Sequence, residues 1–133
     1  MHTGSQFLTA KAVAPYMIQA KSSVILTLSA SIGKEAQPFI SGLSSTCTAI
    51  EGMTRVIAVE LGFHNVRAIR LRDGAIFKTK TIKETIRANA KTAGMPEEVF
   101  AELIRQAALL KRDPSVEEVA KVATFLVSDE ASV

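Results

Sequence analysis

The chain has 133 residues, 47% of them hydrophobic, which is material for one domain with a modest core, or for part of one. A charged fraction of 22% argues against disorder, and no stretch approaches the ~20 uncharged apolar residues that span a bilayer, so no membrane partner is expected. The net charge of +3 and pI near 9.2 do not mark a nucleic-acid binder, because Lys and Arg are interleaved with Asp and Glu and no aromatic lies among them to stack on bases.

Residues 1–6 lack a basic and apolar leader with a small-residue cleavage site, and a cytoplasmic home is expected. The single cysteine, Cys47, has no second Cys or nearby His pair with which to build a disulfide or a zinc site, so no metal is expected.

Over residues 5–19, Phe7, Ala10, Val13, Ala14, Met17 and Ile18 recur at three- and four-residue steps, one face of a helix. Pro15 removes a backbone donor and predicts a kink in its last turn. Residues 24–29, Val-Ile-Leu-Thr-Leu-Ser, form an apolar run of strand formers, as in a sheet covered on both faces. A loop over 30–42 is punctuated by Gly33, Pro38 and Gly42. Residues 43–61 then read as a long helix with Ile50, Met53, Ile57 and Leu61 as its apolar stripe, and Gly62 is suited to a left-handed cap. A second strand is predicted over 66–71. Strand, long helix and strand in this order make a βαβ unit with parallel strands, and the Ser29 and Asp73 ends are expected to open onto one crevice.

The remainder is helical. Thr81 with Glu84 has capping-box spacing, Gly94 ends that helix, and Pro96-Glu97-Glu98 opens another that runs to about Leu110. Ser115 with Glu118 has the same spacing and starts a last helix, for which Val116, Val119, Ala123 and Leu126 supply a buried face. Two strands are few for so many helices, because a two-stranded parallel sheet has both edges open. Strands from an absent segment, from another chain or from an identical chain would complete it.

Val24-Ile25-Leu26-Thr27-Leu28-Ser29, Ala49-Ile50-Glu51-Gly52-Met53-Thr54-Arg55 leading to Ala58-Val59-Glu60-Leu61, Asn65-Val66-Arg67 and Asp73-Gly74-Ala75-Ile76 follow one another in an order that resembles the short-chain dehydrogenase/reductase family. Residues 7–17 resemble the family's helix before its serine strand, and 115–132 resemble its C-terminal helix and Ser-Asp-Glu turn, so essentially the whole chain is covered. The resemblance implies an α/β fold, the C-terminal portion of a Rossmann-like three-layer domain in which residues 1–133 form a single domain without the Gly-rich N-terminal part. It also implies NAD or NADP as cofactor, although binding by this chain alone is expected to be poor, since its glycines never fall in the G-x-G-x-x-G spacing that cradles a pyrophosphate.

Family members reduce a carbonyl by hydride transfer while a Tyr donates a proton, a Lys four residues on lowers its pKa, and a Ser orients the substrate. By this resemblance the Tyr position falls on Leu43 and the Lys position on Cys47, neither of which serves that role. Tyr16, the only tyrosine, is followed four residues later by Ala20. The sequence looks closest to a divergent branch of the family without the Tyr–Lys pair. The family's Ser position falls on Ala30, so its neighbours Ser29 and Ser31 are the catalytic candidates, with satisfaction of loop backbone groups as the alternative. Gly74, Ile76 and Thr79 are candidate cofactor neighbours, Asp73 stands where the family has Pro, and Lys78 where it has Thr.

Cys47 has no cationic neighbour in sequence and reads as a packing residue. His2, near the family's Asn position, is either a proton donor or a mobile terminal residue. Arg67, Arg70 and Arg72 face a phosphate, sit at a solvated strand end or form a salt bridge to Asp73. The expectation is an oxidoreductase-like protein, inactive as this chain, whose substrate if active is a small-molecule carbonyl or alcohol. The competing expectation is a non-catalytic module that forms homo-oligomers through its helices at 5–19 and 43–61.

Overall fold

The computed structural model describes residues 3–34, 38 and 40–132. In chain order come helix α1 (Thr3–Ala20), strand β1 (Ser23–Ala30), helix α2 (Ser41–Gly62), strand β2 (Val66–Asp73) and helices α3 (Lys80–Ala93), α4 (Glu97–Ala107) and α5 (Val116–Val127). Single 3-10 turns lie at Ser31–Gly33 and Asp129–Ala131. β1 and β2 are neighbours in a two-stranded parallel sheet, so the partial α/β fold is the observed one. Part of the predicted loop at 30–42 falls outside the described residues, as does His2. The chain divides into two compact units, Met1–Arg72 with Val122–Val133, and Asp73–Lys121.

In the first unit the side chains of β1 alternate: Ile25, Thr27 and Ser29 are buried, whereas Leu28 is exposed. Ile25 joins Ala10 of α1, Ile57 of α2 and Val66 of β2 in one apolar cluster, with Met17, Met53, Leu61 and Ala68 packed against it. Ile50 is fully buried on the same helix, so the stripe read from the three- and four-residue steps is the face that α2 buries. Burying one such side chain stabilises by about 2 kcal/mol. Two hydroxyl groups then tie helix to sheet. Thr54 Oγ1 donates to Ile50 O at 2.7 Å, which leaves Thr27 Oγ1 to donate to Thr54 Oγ1 at 2.8 Å in preference to Ile69 O at 3.4 Å.

The helix of α1 runs through Pro15 to Ala20, as the predicted span does. One detail differs from the sequence reading. The left-handed residue after α2 is Asn65, at φ 60°, not Gly62, which is the last helical residue. Asn tolerates that region because its short amide bonds locally; here Nδ2 donates to Lys21 O at 2.6 Å, and Lys21 is itself left-handed at φ 52°. The turns that lead into β1 and β2 are thereby joined.

In the second unit, Gly94 caps α3 as predicted, at φ 67°. The capping box expected of Thr81 and Glu84 does not form, because α3 starts at Lys80 and Glu84 instead faces Lys80 at 3.9 Å. α4 stops at Ala107, short of Leu110, and the Arg105 guanidinium lies 4.9 Å from the centre of the Phe77 ring. The box at Ser115 is formed in both directions: Ser115 N donates to Glu118 Oε2 at 2.8 Å and Glu118 N to Ser115 Oγ at 3.1 Å. Of the buried face expected of α5, Val119, Ala123 and Leu126 are half-buried and Val116 is exposed.

Arg112 donates two hydrogen bonds to Glu118, at 2.9 and 2.8 Å. Those bonds, and then the backbone N–H of Ser115, hold the Glu118 pKa down from 4.5 to about 2. A carboxyl lowered by folding stabilises fully above its unfolded pKa of 4.5 and loses that contribution as pH falls through about 2. A carboxyl NMR titration is expected to place Glu118 near 2, and Arg112→Ala to raise the midpoint toward 4.5. An unchanged midpoint in the variant would exclude the guanidinium as the cause.

Candidate functional site

Residues 43, 47, 50, 51 and 54 lie on successive turns of α2, and this face carries both the core stripe and the positions where the resemblance sets Tyr and Lys. Leu43 is half-buried in the first turn and Cys47 fully buried in the next. At the C-terminal end of β1, Ser29 is fully buried and its Oγ donates to Cys47 O at 3.3 Å. Its hydroxyl therefore holds strand to helix. Ser31 is half-buried at the start of the 3-10 turn. That turn runs against α2: a Cβ at Gly33 would meet Cys47 Cβ at 3.0 Å and Thr48 N at 3.3 Å, a close approach that only glycine permits. Thr48 Oγ1, 2.9 Å from Gly33 O, fastens the same contact.

One turn beyond Cys47 the site becomes ionic. The Glu51 side chain is only 5% exposed and pairs with two arginines of β2: Arg70 Nη1 forms an ion pair with Oε2 at 3.1 Å, and Arg72 Nε donates to Oε1 at 3.1 Å. Arg72 Nη2 is 2.9 Å from the same oxygen but off-line, so it makes no hydrogen bond, and Arg70 Nε is also buried and unpartnered among the described residues. Both guanidinia are about one-quarter exposed, at 27% and 26%. Two cations around one carboxylate leave a local excess of positive charge at the end of the sheet. The partner of Arg70 and Arg72 is thus Glu51 and not Asp73.

Arg67 serves differently, donating from Nη1 to Leu126 O at 3.1 Å and Ala131 O at 2.9 Å, and from Nη2 to Ser128 O at 2.8 Å. It thereby ties β2 to the end of α5 and to the 3-10 turn that follows it. Sequence reasoning misses these roles, although signals for them exist. Glu51 directly follows Ile50 on the apolar stripe, and residues 70 and 72 share one side of a strand, so both face the helix that carries Glu51.

Of the remaining candidates, Gly74, Ile76 and Thr79 lie in the second unit. Ile76 O accepts from Thr79 N at 3.0 Å and from Thr79 Oγ1 at 2.8 Å, a turn that precedes α3. Gly74 has room for a side chain, with Pro114 Cδ at 3.7 Å from a built Cβ. Burial raises the Asp73 carboxyl above its ordinary value, and a backbone hydrogen bond opposes this. Among the described residues no group of three or more His, Cys, Asp or Glu is placed to hold a metal ion, and no helix is long and apolar enough to cross a membrane. The residues present do not fit the pyrophosphate of a dinucleotide. The one glycine of the turn after β1, Gly33, is used to pack on Cys47, and no Gly-rich cradle is encoded.

A βαβ unit whose long crossover helix lies on two parallel strands defines a partial α/β domain of Rossmann-like type. Over residues 1–133 the chain matches the family model described as enoyl-(acyl carrier protein) reductase, and it belongs to the short-chain dehydrogenases/reductases. It is 31% identical over 134 aligned positions to a short-chain dehydrogenase/reductase of Armillaria gallica, covering 99% of this chain and 45% of that protein. It is also 31% identical over 130 to the 3-oxoacyl-[acyl-carrier-protein] reductase of Thermotoga maritima, covering 95% and 46%. The crystal structure of an NAD+-bound xylitol dehydrogenase superposes with a TM-score of 0.88 at 22% identity, covering 95% of this chain and 50% of that one, a likeness of fold. The chain spans about half the length of the curated relatives it matches.

Neutralising Glu51 leaves two partly buried guanidinia facing one another. Glu51→Gln is expected to lower unfolding stability by roughly 3 kcal/mol, whereas Arg87→Ala, which breaks the exposed pair with Glu97, costs under about 1 kcal/mol. Urea denaturation midpoints measure both. Equal losses would show that the Glu51 cluster is not a buried ion group.

Proposed function

We propose that this chain supplies the substrate side of an oxidoreductase domain related to NAD(P)-dependent carbonyl and alcohol dehydrogenases, and that it does not itself turn over a nicotinamide cofactor. The observation that carries this is the pair Leu43 and Cys47 on the strand-facing side of α2. A leucine has no proton to give, and Cys47, a buried thiol, brings no positive charge to the position where the resemblance sets Lys. Family membership over residues 1–133 supports the oxidoreductase relationship, and the NAD+ bound to the matched xylitol dehydrogenase supports the cofactor class. Ser31 is the hydroxyl left to meet a substrate carbonyl, because that of Ser29 is engaged by Cys47 O. Gly74, Ile76 and Thr79 are the residues we assign to the nicotinamide end of a cofactor, and the cytoplasm is the compartment in which this chemistry belongs.

A second reading rests on a separate observation. Leu8 and Tyr16 of α1, Val56 and Val59 of α2 and Phe63 just beyond α2 are exposed, more apolar surface than two solvated helices need. In this reading the chain is a non-catalytic module that pairs with a second copy through those helices.

The purified 133-residue chain, supplied with NADH or NADPH and a panel of small ketones, is expected to oxidise neither cofactor above the no-protein rate. Efficient turnover would overturn the proposal. Sedimentation of the same sample separates the two readings, since a well-folded monomer is incompatible with the second.

A further inference from the structure

We propose that Arg105 is the positioning residue of the turn that follows β2, and that its guanidinium sets where Ile76 and Thr79 lie. The inference rests on the reading that gives these two residues to the nicotinamide end of a cofactor, and it adds the side chain that holds them in place.

The turn closes through its own groups. Thr79 N donates to Ile76 O at 3.0 Å, which makes Phe77 and Lys78 the corner residues, and Thr79 Oγ1 donates to the same carbonyl at 2.8 Å. Thr79 is also the N-cap of α3, a place where a threonine hydroxyl ordinarily accepts a backbone N–H of the first helical turn. Here it makes no such bond. The hydroxyl is spent inside the turn, so it does not fasten the turn to the helix beside it. The link from the turn to α4 is the Phe77 ring, with the Arg105 guanidinium over it at 4.9 Å from the centre.

A cation over an aromatic face is drawn to the negative charge of the ring, and the attraction grows as the pair loses water. Arg105 meets that condition, because its side chain is only 33% exposed and two carboxylates from different segments aim it. Glu102, one turn back on α4, pairs with Nη1, and Asp113, in the connector to α5, lies 3.6 Å from Nε. Glu102 is itself held by Gln106 Nε2 at 2.6 Å. A planar fork engaged by anions at two of its nitrogens has little freedom to leave the ring, whereas a lysine would bring the charge without the fork. Three segments of the second unit therefore meet at one cation: the turn at 76–79, the last turn of α4 and residue 113. The competing account is packing alone, in which Phe77 is seated by its apolar bulk and the guanidinium merely lies alongside.

Amide hydrogen exchange of the whole 15N-labelled chain, read at Thr79 N, tests this, with nicotinamide mononucleotide as the ligand probe because it carries the nicotinamide without the pyrophosphate. Phe77→Leu keeps most of the apolar bulk and loses the ring. Arg105→Gln and Phe77→Leu are each expected to speed Thr79 exchange by about tenfold, the factor that one partly desolvated cation–π contact carries. The double variant is expected to go no further than either alone, and Arg105→Lys to recover part of the protection. Arg87→Gln, which breaks the exposed pair with Glu97, leaves Thr79 unchanged, and unchanged β1 and β2 amides report that each variant is folded. In the unaltered chain, millimolar nicotinamide mononucleotide is expected to shift the Gly74, Ile76 and Thr79 amides, and Arg105→Gln to remove those shifts. Equal Thr79 exchange in Arg105→Gln and the unaltered chain, additive effects in the double variant, or nucleotide shifts that survive Arg105→Gln would each overturn the proposal. Fast exchange in Arg105→Gln with no nucleotide shift in the unaltered chain keeps Arg105 as the residue that places the turn and removes the cofactor assignment of Ile76 and Thr79 instead.

Discussion

The seat of α2 on the sheet is the constraint from which the rest of the first unit follows. Ile50 and Ile57 give the helix its apolar footing, and the Thr27–Thr54 hydroxyl contact at 2.8 Å fixes its register against β1. A hydrogen bond in such a dry place is costly to leave unmade, so it selects one register among several that would bury similar apolar area. With α2 fixed, β2 can only return beside β1 in the parallel sense. The Asn65 bridge to Lys21 O then closes the opposite end.

The same seat decides what chemistry the helix face can support. Ser29 and Gly33 bring the end of β1 into contact with Cys47, so the backbone geometry of a serine strand beside a helix is kept. The side chains are another matter. Where a proton relay would need ionisable groups at 43 and 47, the chain has a leucine and a buried thiol, and its charge is displaced one turn along to Glu51 and its two arginines. A buried ion cluster of this kind favours one arrangement of helix and strand, because moving either element strands a charge.

Much of this is legible in the sequence, and the misses have physical reasons. The strands at 24–29 and 66–71 and the α2 stripe are readable because apolar periodicity reports burial directly. The Ser115–Glu118 box is also readable, being a local exchange of hydrogen bonds, whereas Thr81–Glu84 has the same spacing and fails because α3 begins one residue earlier. Spacing alone does not set a helix start. Gly62 is the natural choice for a left-handed cap, yet Asn65 takes it, since an amide that reaches Lys21 O outweighs the intrinsic ease of glycine. Asp73 is the acidic neighbour of Arg70 and Arg72 in sequence, but Glu51 is their partner, because proximity along a strand says little about which face a side chain occupies. The predicted buried face of α5 and the full length of α4 assume surroundings that the described residues do not provide.

The kinship and the reading of the helix face both require β1 and β2 to run side by side in the same direction. Cross-strand nuclear Overhauser contacts around Thr27 and Ile69 in the labelled protein test this most directly. Alternating amide-to-α-proton contacts without close α-to-α contacts are predicted, the pattern of a parallel ladder. Close α-proton pairs between the two strands, or no cross-strand contacts at all, would contradict the account.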